Sequence, residues 1–186
     1  MNVRKQIFVY VNIKNIIKLK YIIFIYMESQ HCNIDGKKIY SIDMMIAYID
    51  IFSPEYKKIN MNTMESYLNK KVWYDSEKKI YYSPKDLLNH PKKDTDKFLQ
   101  RHMKRITNSN LKFPITIYKN NIIDGYHRLT KSYLLNKKTI KVFNFNDKIM
   151  NNFVVDTKKD YDHVNNLRLY EYIKLFVKNF KLESKK

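Results

Sequence analysis

The residue types best suited to chemistry gather in one short string, Asp124-Gly125-Tyr126-His127-Arg128. Gly125 permits a sharp backbone turn with no side chain in the way. If a helix starts behind it, the amides of Tyr126, His127 and Arg128 are the unpaired donors of its first turn. The helix dipole favours negative charge there. Arg128 adds a planar fork suited to phosphate, and His127 can donate a proton or a hydrogen bond near neutral pH. Asp124 can hold a metal, orient a hydroxyl or simply cap the helix. The string reads as a place to hold an anion. Gly125, Tyr126, His127 and Arg128 are the candidate phosphate-binding residues, and Asp124 and His127 the candidate catalytic ones.

The flanking pattern supplies the elements such a turn needs. Phe113–Tyr118 reads as a strand and Lys119-Asn120-Asn121 as a tight turn, with Ile122-Ile123 resuming a second strand that Asp124-Gly125 ends. Tyr126–Leu135 reads as a helix with Leu129, Tyr133 and Leu135 inward. Asn136-Lys137-Lys138 is its stop, with basic residues suiting the dipole, and Thr139–Phe145 is a third strand.

Upstream, KKIYSI from Lys37 suggests a strand, and IDMMIAYIDIF a short buried helix or strand broken by Ser53-Pro54. Asn62 with Glu65 resembles a capping box ahead of core positions Met61, Met64 and Leu68. Val72–Tyr74 and Ile80–Tyr82 flank the polar turn Asp75–Lys79 as a hairpin would. Ser83-Pro84-Lys85-Asp86 is a helix start that Pro91 stops soon after. A longer helix runs from about Thr95 to Ser109. Phe98, Leu99, His102, Met103 and Ile106 lie on one side of it, while Arg101, Lys104 and Arg105 form a basic face that either tracks phosphates or is solvated. Leu167, Tyr170, Ile173, Phe176, Val177 and Phe180 mark a final amphipathic helix, a lid on the core or a partner surface.

The run Phe113–Phe145 (FPITIYKNNIIDGYHRLTKSYLLNKKTIKVFNF) resembles the heart of the ParB/sulfiredoxin superfamily. Its members share a strand ending in Asp-Gly or Gly-Gly, a variable residue, His-Arg, a helix, and a strand beginning near Thr-Ile. The resemblance implies an α+β fold, a small mixed sheet with packed helices. Sulfiredoxins carry their catalytic cysteine just before His-Arg, where this chain has Tyr126, so sulfinic acid reduction is not expected. ParB partition proteins bind CTP at an arginine-rich version of the turn and follow it with a DNA-binding domain that the short remainder here does not match. Free serine kinases of the superfamily carry Asp-Gly-His-His-Arg, which differs only at Tyr126, and use an acidic residue after the first strand as a base. Asp50 or Glu55 would fill that place. The resemblance thus implies a nucleotide ligand, ATP or ADP with Mg2+, and a phosphotransferase or nucleotide hydrolase. Two alternatives stand beside it. One is a nucleic-acid-binding module, with or without nuclease activity, using Arg101, Lys104 and Arg105. The other is a catalytically silent interaction protein.

Composition narrows the class less than it first suggests. The net charge of +18 at pH 7 points to phosphates. Yet lysine, asparagine, isoleucine and tyrosine are abundant together while the chain has 2 glycines and 4 prolines, the bias an A+T-rich coding sequence produces. Two glycines also leave no room for a Walker-type loop. With Cys32 alone, there is neither an internal disulfide nor a multi-cysteine zinc site, so an intracellular, cytoplasmic setting is expected. No metal-ligand spacing appears among the histidines. Residues 6–26 are the most apolar segment, but Asn12, Lys14, Asn15, Lys18 and Lys20 interrupt it. They read as a non-native extension ahead of Met27, a membrane-surface anchor, or an extra element; no other membrane contact is expected. The expected organisation is an extension over 1–36, the family-like domain over 37–146 and a helical extension over 147–186.

Overall fold

The computed structural model describes residues 31–32, 38–158, 161–167 and 169–180, so the apolar segment 6–26 lies outside it. The chain divides into two compact units, a central one over Glu55–Asn144 and a terminal one drawn from the segments on either side. The terminal unit begins with strands β1 (His31–Cys32) and β2 (Ile39–Ser41) and helix α1 (Ile42–Phe52). The central unit opens with β3 (Lys57–Asn60), α2 (Met61–Met64), β4 (Trp73–Asp75), β5 (Ile80–Tyr82), α3 (Pro84–Asn89) and α4 (Lys97–Asn108). It continues through β6 (Ile115–Tyr118), β7 (Asn121–Asp124), α5 (Tyr126–Leu134) and β8 (Thr139–Asn144). The terminal unit resumes with α6 (Asp147–Met150), β9 (Val154–Asp156), α7 (Tyr161–Asn166) and α8 (Leu169–Asn179). Helices and small mixed sheets make this an α+β protein, as expected.

In the terminal unit, β2 pairs antiparallel with β1 on one side and β9 on the other. That pairing explains why residues 39–54, which the sequence groups with the family-like run, cluster instead with the C-terminal elements. IDMMIAYIDIF resolves as a helix because Ser41 Oγ accepts the Met44 amide and caps it. Ser53, in the left-handed region at φ 46°, ends it. Rings of Tyr48, Phe52, Phe145, Phe153 and Phe180 pack against one another, with Tyr48 stacked on Phe180 at 5.1 Å. Helix α8 turns Phe176 into this interior, where it and Phe153 are fully buried.

In the central unit, four strands lie in the order β3-β8-β6-β7. β6 and β7 form an antiparallel hairpin whose two linking residues, Lys119 and Asn120, both have positive φ (46° and 58°), as a type I′ turn requires. After α5 the chain returns as β8, parallel to β6, and β3 adds antiparallel to β8. Lys57 and Lys58 stand exposed on the outer strand β3. Two apolar clusters fill the unit. One joins Met61, Met64 and Leu68 to Ile115, Ile117, Leu129 and Val142; the other joins Trp73, Tyr82, Leu87, Leu99 and Ile106.

Two local expectations change. The cap of α2 is Asn60 rather than Asn62, and the helix tightens into a 3₁₀ turn at Glu65, although Met61, Met64 and Leu68 are buried as their spacing predicted. On α5, Leu129 faces inward but Tyr133 and Leu135 are exposed, at 36% and 53%. Their places go to Thr130 and Ser132, which are buried. Thr130 can be, because its hydroxyl donates to the Tyr126 carbonyl of its own helix at 2.7 Å. Apolarity alone could not reveal that.

Candidate functional site

Strand β7 delivers Asp124, and the chain turns at Gly125 into α5. Gly125 has φ +111° and is the N-cap of α5, with no side-chain cap. A Cβ there would lie 2.6 Å from Ile115 Cγ2, so both the backbone conformation and the packing require glycine. Leu129 makes the first helical hydrogen bond, to the Gly125 carbonyl at 2.9 Å. The amides of Tyr126, His127 and Arg128 precede it and have no intrahelical acceptor.

Asp124 does not cap the helix. Its Oδ2 accepts from Arg128 Nη2 at 2.6 Å, a pair at i,i+4 that spans the turn. The same Nη2 also donates to the Pro114 carbonyl at 3.3 Å. Arg128 Nε is buried with no hydrogen-bond partner among the described residues. The fork is therefore anchored at one nitrogen and unsatisfied at another.

Tyr126 and His127 both pack against the apolar interior. Tyr126 lies against both apolar clusters, and burial, with the nearby Tyr67 adding to it, pushes its phenol up to about 12. His127 Nε2 meets His102 Nδ1 at 3.0 Å. Both imidazoles lie on Trp73, His127 stacked at 5.0 Å and His102 tilted at 4.5 Å, and Phe98 flanks His102. Burial is the main cause that lowers His102 to about 3 and His127 to about 4. The neighbouring ring and Arg101 and Arg105 add to the first shift, Arg105 and Arg128 to the second. At neutral pH both rings are uncharged, so His127 brings no positive charge to an anion. One ring must donate and the other accept, which fixes complementary tautomers.

Beside Arg128 lies a cavity of about 260 Å³. Lys58, Arg128, Lys137 and Lys141 reach it with Ser132 and Thr139, and no carboxylate lines it among the described residues. Phe113, 55% exposed, forms part of its wall. Lys58 and Lys141 are directly opposite each other in the β3–β8 register. Like charges so placed destabilise a sheet, and an anion between them would relieve the repulsion. Lys141 also rests its ammonium 4.7 Å from the centre of the Tyr56 ring.

The other candidates fall elsewhere. Asp50 sits in α1, the helix that follows β2 in the terminal unit, whereas the turn belongs to the central unit. Glu55 is an exposed residue at the start of the central unit. Arg101, Lys104 and Arg105 are exposed on α4, as the basic face predicted. Among the described residues no group of three or more His, Cys, Asp or Glu is arranged to hold a metal. No protein-family model matches the chain, and no curated protein or solved structure matches it either. Among the described residues no helix is long and apolar enough to cross a membrane.

Sequence reasoning missed three sets of contacts. His102 was legible as an inward residue of α4, but its pairing with His127 joins residues 25 apart. Trp73 carried no signal beyond being the chain's single tryptophan. Lys58 and Lys141 become neighbours only through the strand register.

Proposed function

We propose that the central unit binds a phosphate-bearing ligand of nucleotide type, the ligand class that the ParB/sulfiredoxin resemblance implies, in the cavity beside Arg128. Arg128 lines that cavity, but Gly125, Tyr126 and His127 do not. The observation that carries this reading is a cationic, carboxylate-free cavity holding the repelling pair Lys58 and Lys141 next to an arginine with an unsatisfied buried nitrogen. Phosphate oxygens would accept from Arg128, Lys137 and Lys141, and Ser132 and Thr139 supply hydroxyl donors. Phe113 offers an aromatic face on which a base can stack.

The residues fit phosphate better than they fit a magnesium ion. Mg2+ is usually held by one or two carboxylates besides the phosphates. Asp124 is the carboxylate at the turn, and Arg128 already engages it. We therefore assign no step to a metal. Asp124 acts here as a positioning residue that aims the Arg128 fork; phosphotransfer or hydrolysis would need a base that the turn does not visibly supply.

Calorimetry with ADP, ATP and CTP, with and without magnesium, tests the reading. Arg128→Ala should weaken binding by about ten- to a hundredfold, the loss of one charge-assisted contact. The paired change Lys137→Ala with Lys141→Ala should weaken it by a similar factor, and Asp124→Asn should leave it within a few-fold. Equal binding by wild type and Arg128→Ala, or no binding under any condition, would reduce the turn to a packing device.

A further inference from the structure

The hairpin β4–β5 has an inner and an outer face. Trp73, Asp75 and Tyr82 are buried, while Tyr74 and Tyr81 point outward, 48% and 54% exposed. The two tyrosines are register partners with ring centres 4.6 Å apart, a small aromatic platform in solvent.

Next to this platform is a cleft of about 320 Å³, with Tyr74 on the hairpin side and Lys97, Phe98 and Arg101 on α4. The Arg101 guanidinium lies over the Phe98 ring at 5.4 Å. Lys97 opens α4 directly behind the N-cap Asp96, at an end where the helix dipole disfavours a cation. Arg105 continues the basic face one turn beyond Arg101, exposed like it.

The cleft is held in shape by Lys78. Its ammonium donates to Asp75 Oδ2 at 2.8 Å and also to Asp96 Oδ2. Asp75 Oδ1 accepts the Glu77 and Lys78 amides, and Asp96 Oδ1 caps the Phe98 and Leu99 amides. One lysine thus ties the hairpin tip to the start of α4 and balances one of the two carboxylate charges it bridges. Glu77 and Asp75 are acids on the rim, and the cations that project from α4 are Lys97, Arg101 and, one turn on, Arg105.

We propose that this face binds single-stranded nucleic acid, its bases stacking on Tyr74 and Tyr81 and its backbone following Lys97, Arg101 and Arg105. Exposed rings beside an ordered row of cations are the two components single-strand binding needs. A duplex keeps its base faces inside the stack and can use only the cations. The site is separate in its residues from the cavity beside Arg128.

Fluorescence anisotropy on the full chain tests this, with labelled oligothymidylate and oligouridylate against a duplex of equal length over a salt series. The single strands should bind at least about tenfold tighter than the duplex. Tyr74→Ala with Tyr81→Ala should weaken single-strand binding by roughly ten- to a hundredfold and leave duplex binding unchanged. Arg101→Ala should weaken both and flatten the salt dependence by about one unit of slope. Tyr74→Phe with Tyr81→Phe keeps the rings, should retain the binding, and checks that any loss in the alanine pair comes from stacking. Equal affinity for duplex and single strand, indifference to loss of both rings, or absence of binding at low salt would each overturn the proposal.

Discussion

Phe153 in the terminal unit and His102 in the central one occupy comparable places, each a flat ring almost removed from solvent and packed against other rings. Around Phe153 the neighbours are Tyr48, Phe145 and Phe180, which ask for little beyond burial and edge or face geometry. Around His102 they include a second imidazole that must share a proton with it correctly. The first arrangement is held by the hydrophobic effect and is indifferent to pH. The second is disfavoured by protonation, because burial penalises a charged ring and two imidazoliums could not share the hydrogen bond. An interior that depends on protonation costs robustness, and here it adjoins the turn proposed to meet a ligand.

The sharpest break of this comparison is Phe153→Ala. Emptying a fully buried phenylalanine site should cost roughly 3–5 kcal/mol. Because the single tryptophan is Trp73, its emission reports the central unit alone. The denaturation midpoint by far-UV circular dichroism should fall, with the tryptophan transition little changed. Coincident shifts in both signals would mean that the two interiors unfold as one.

Gly125→Ala should do the reverse, moving the tryptophan transition. Its added Cβ meets Ile115 Cγ2 at 2.6 Å in a backbone region that L residues rarely adopt. Strain and overpacking together should cost on the order of 3 kcal/mol. A smaller loss, within about 0.5 kcal/mol, would show that the turn relaxes freely.

Acid should separate the two interiors next. The folded pKa values of His102 and His127 lie below the ordinary 6.5, so the unfolded chain binds protons first. Their contribution is fully present above pH 6.5 and is lost as pH falls through about 4 for His127 and about 3 for His102. The expected loss for the central unit is on the order of 2 kcal/mol, discounted for the partial exposure of His127. Asp75 and Asp96, held low chiefly by Lys78, lose their share only below their ordinary 3.8, outside a titration that stops at pH 4.5. Tryptophan-monitored urea melts between pH 7 and pH 4.5 give the check; a flat midpoint would remove the imidazole pair from the stability of the unit. At the small end, Leu135→Ser should change stability by less than about 0.5 kcal/mol, because that side chain is 53% exposed.

Much of this was legible in the residues themselves. The hairpin β4–β5, the serine-capped α3 and the strand–glycine–helix order at Asp124–Arg128 rest on local signals: alternation, caps and turn chemistry. Ser83 caps α3 as expected, and Asp86 completes a reciprocal capping box with it. Even the Asp124–Arg128 pair had the right spacing for an ion pair along a helix entry, although the aspartate was credited with other tasks. Illegible were the features made by distant residues meeting: His102 with His127, Trp73 beneath both, and Lys58 opposite Lys141. Nor could the grouping of β2 with β9 be read locally, since it rests on a strand more than a hundred residues away (register partners Tyr40 and Val154).

The outer strand β3 has a consequence for how the protein behaves in a crowd. An open edge is a template on which another chain can add a strand and start a fibre. Here the edge begins with Lys57 and Lys58, both in solvent. A second copy docking edge to edge would crowd these ammonium groups against its own. Lys58, one of the cations at the proposed anion site, thus acts together with Lys57 as a guard against aggregation at the edge of the central sheet.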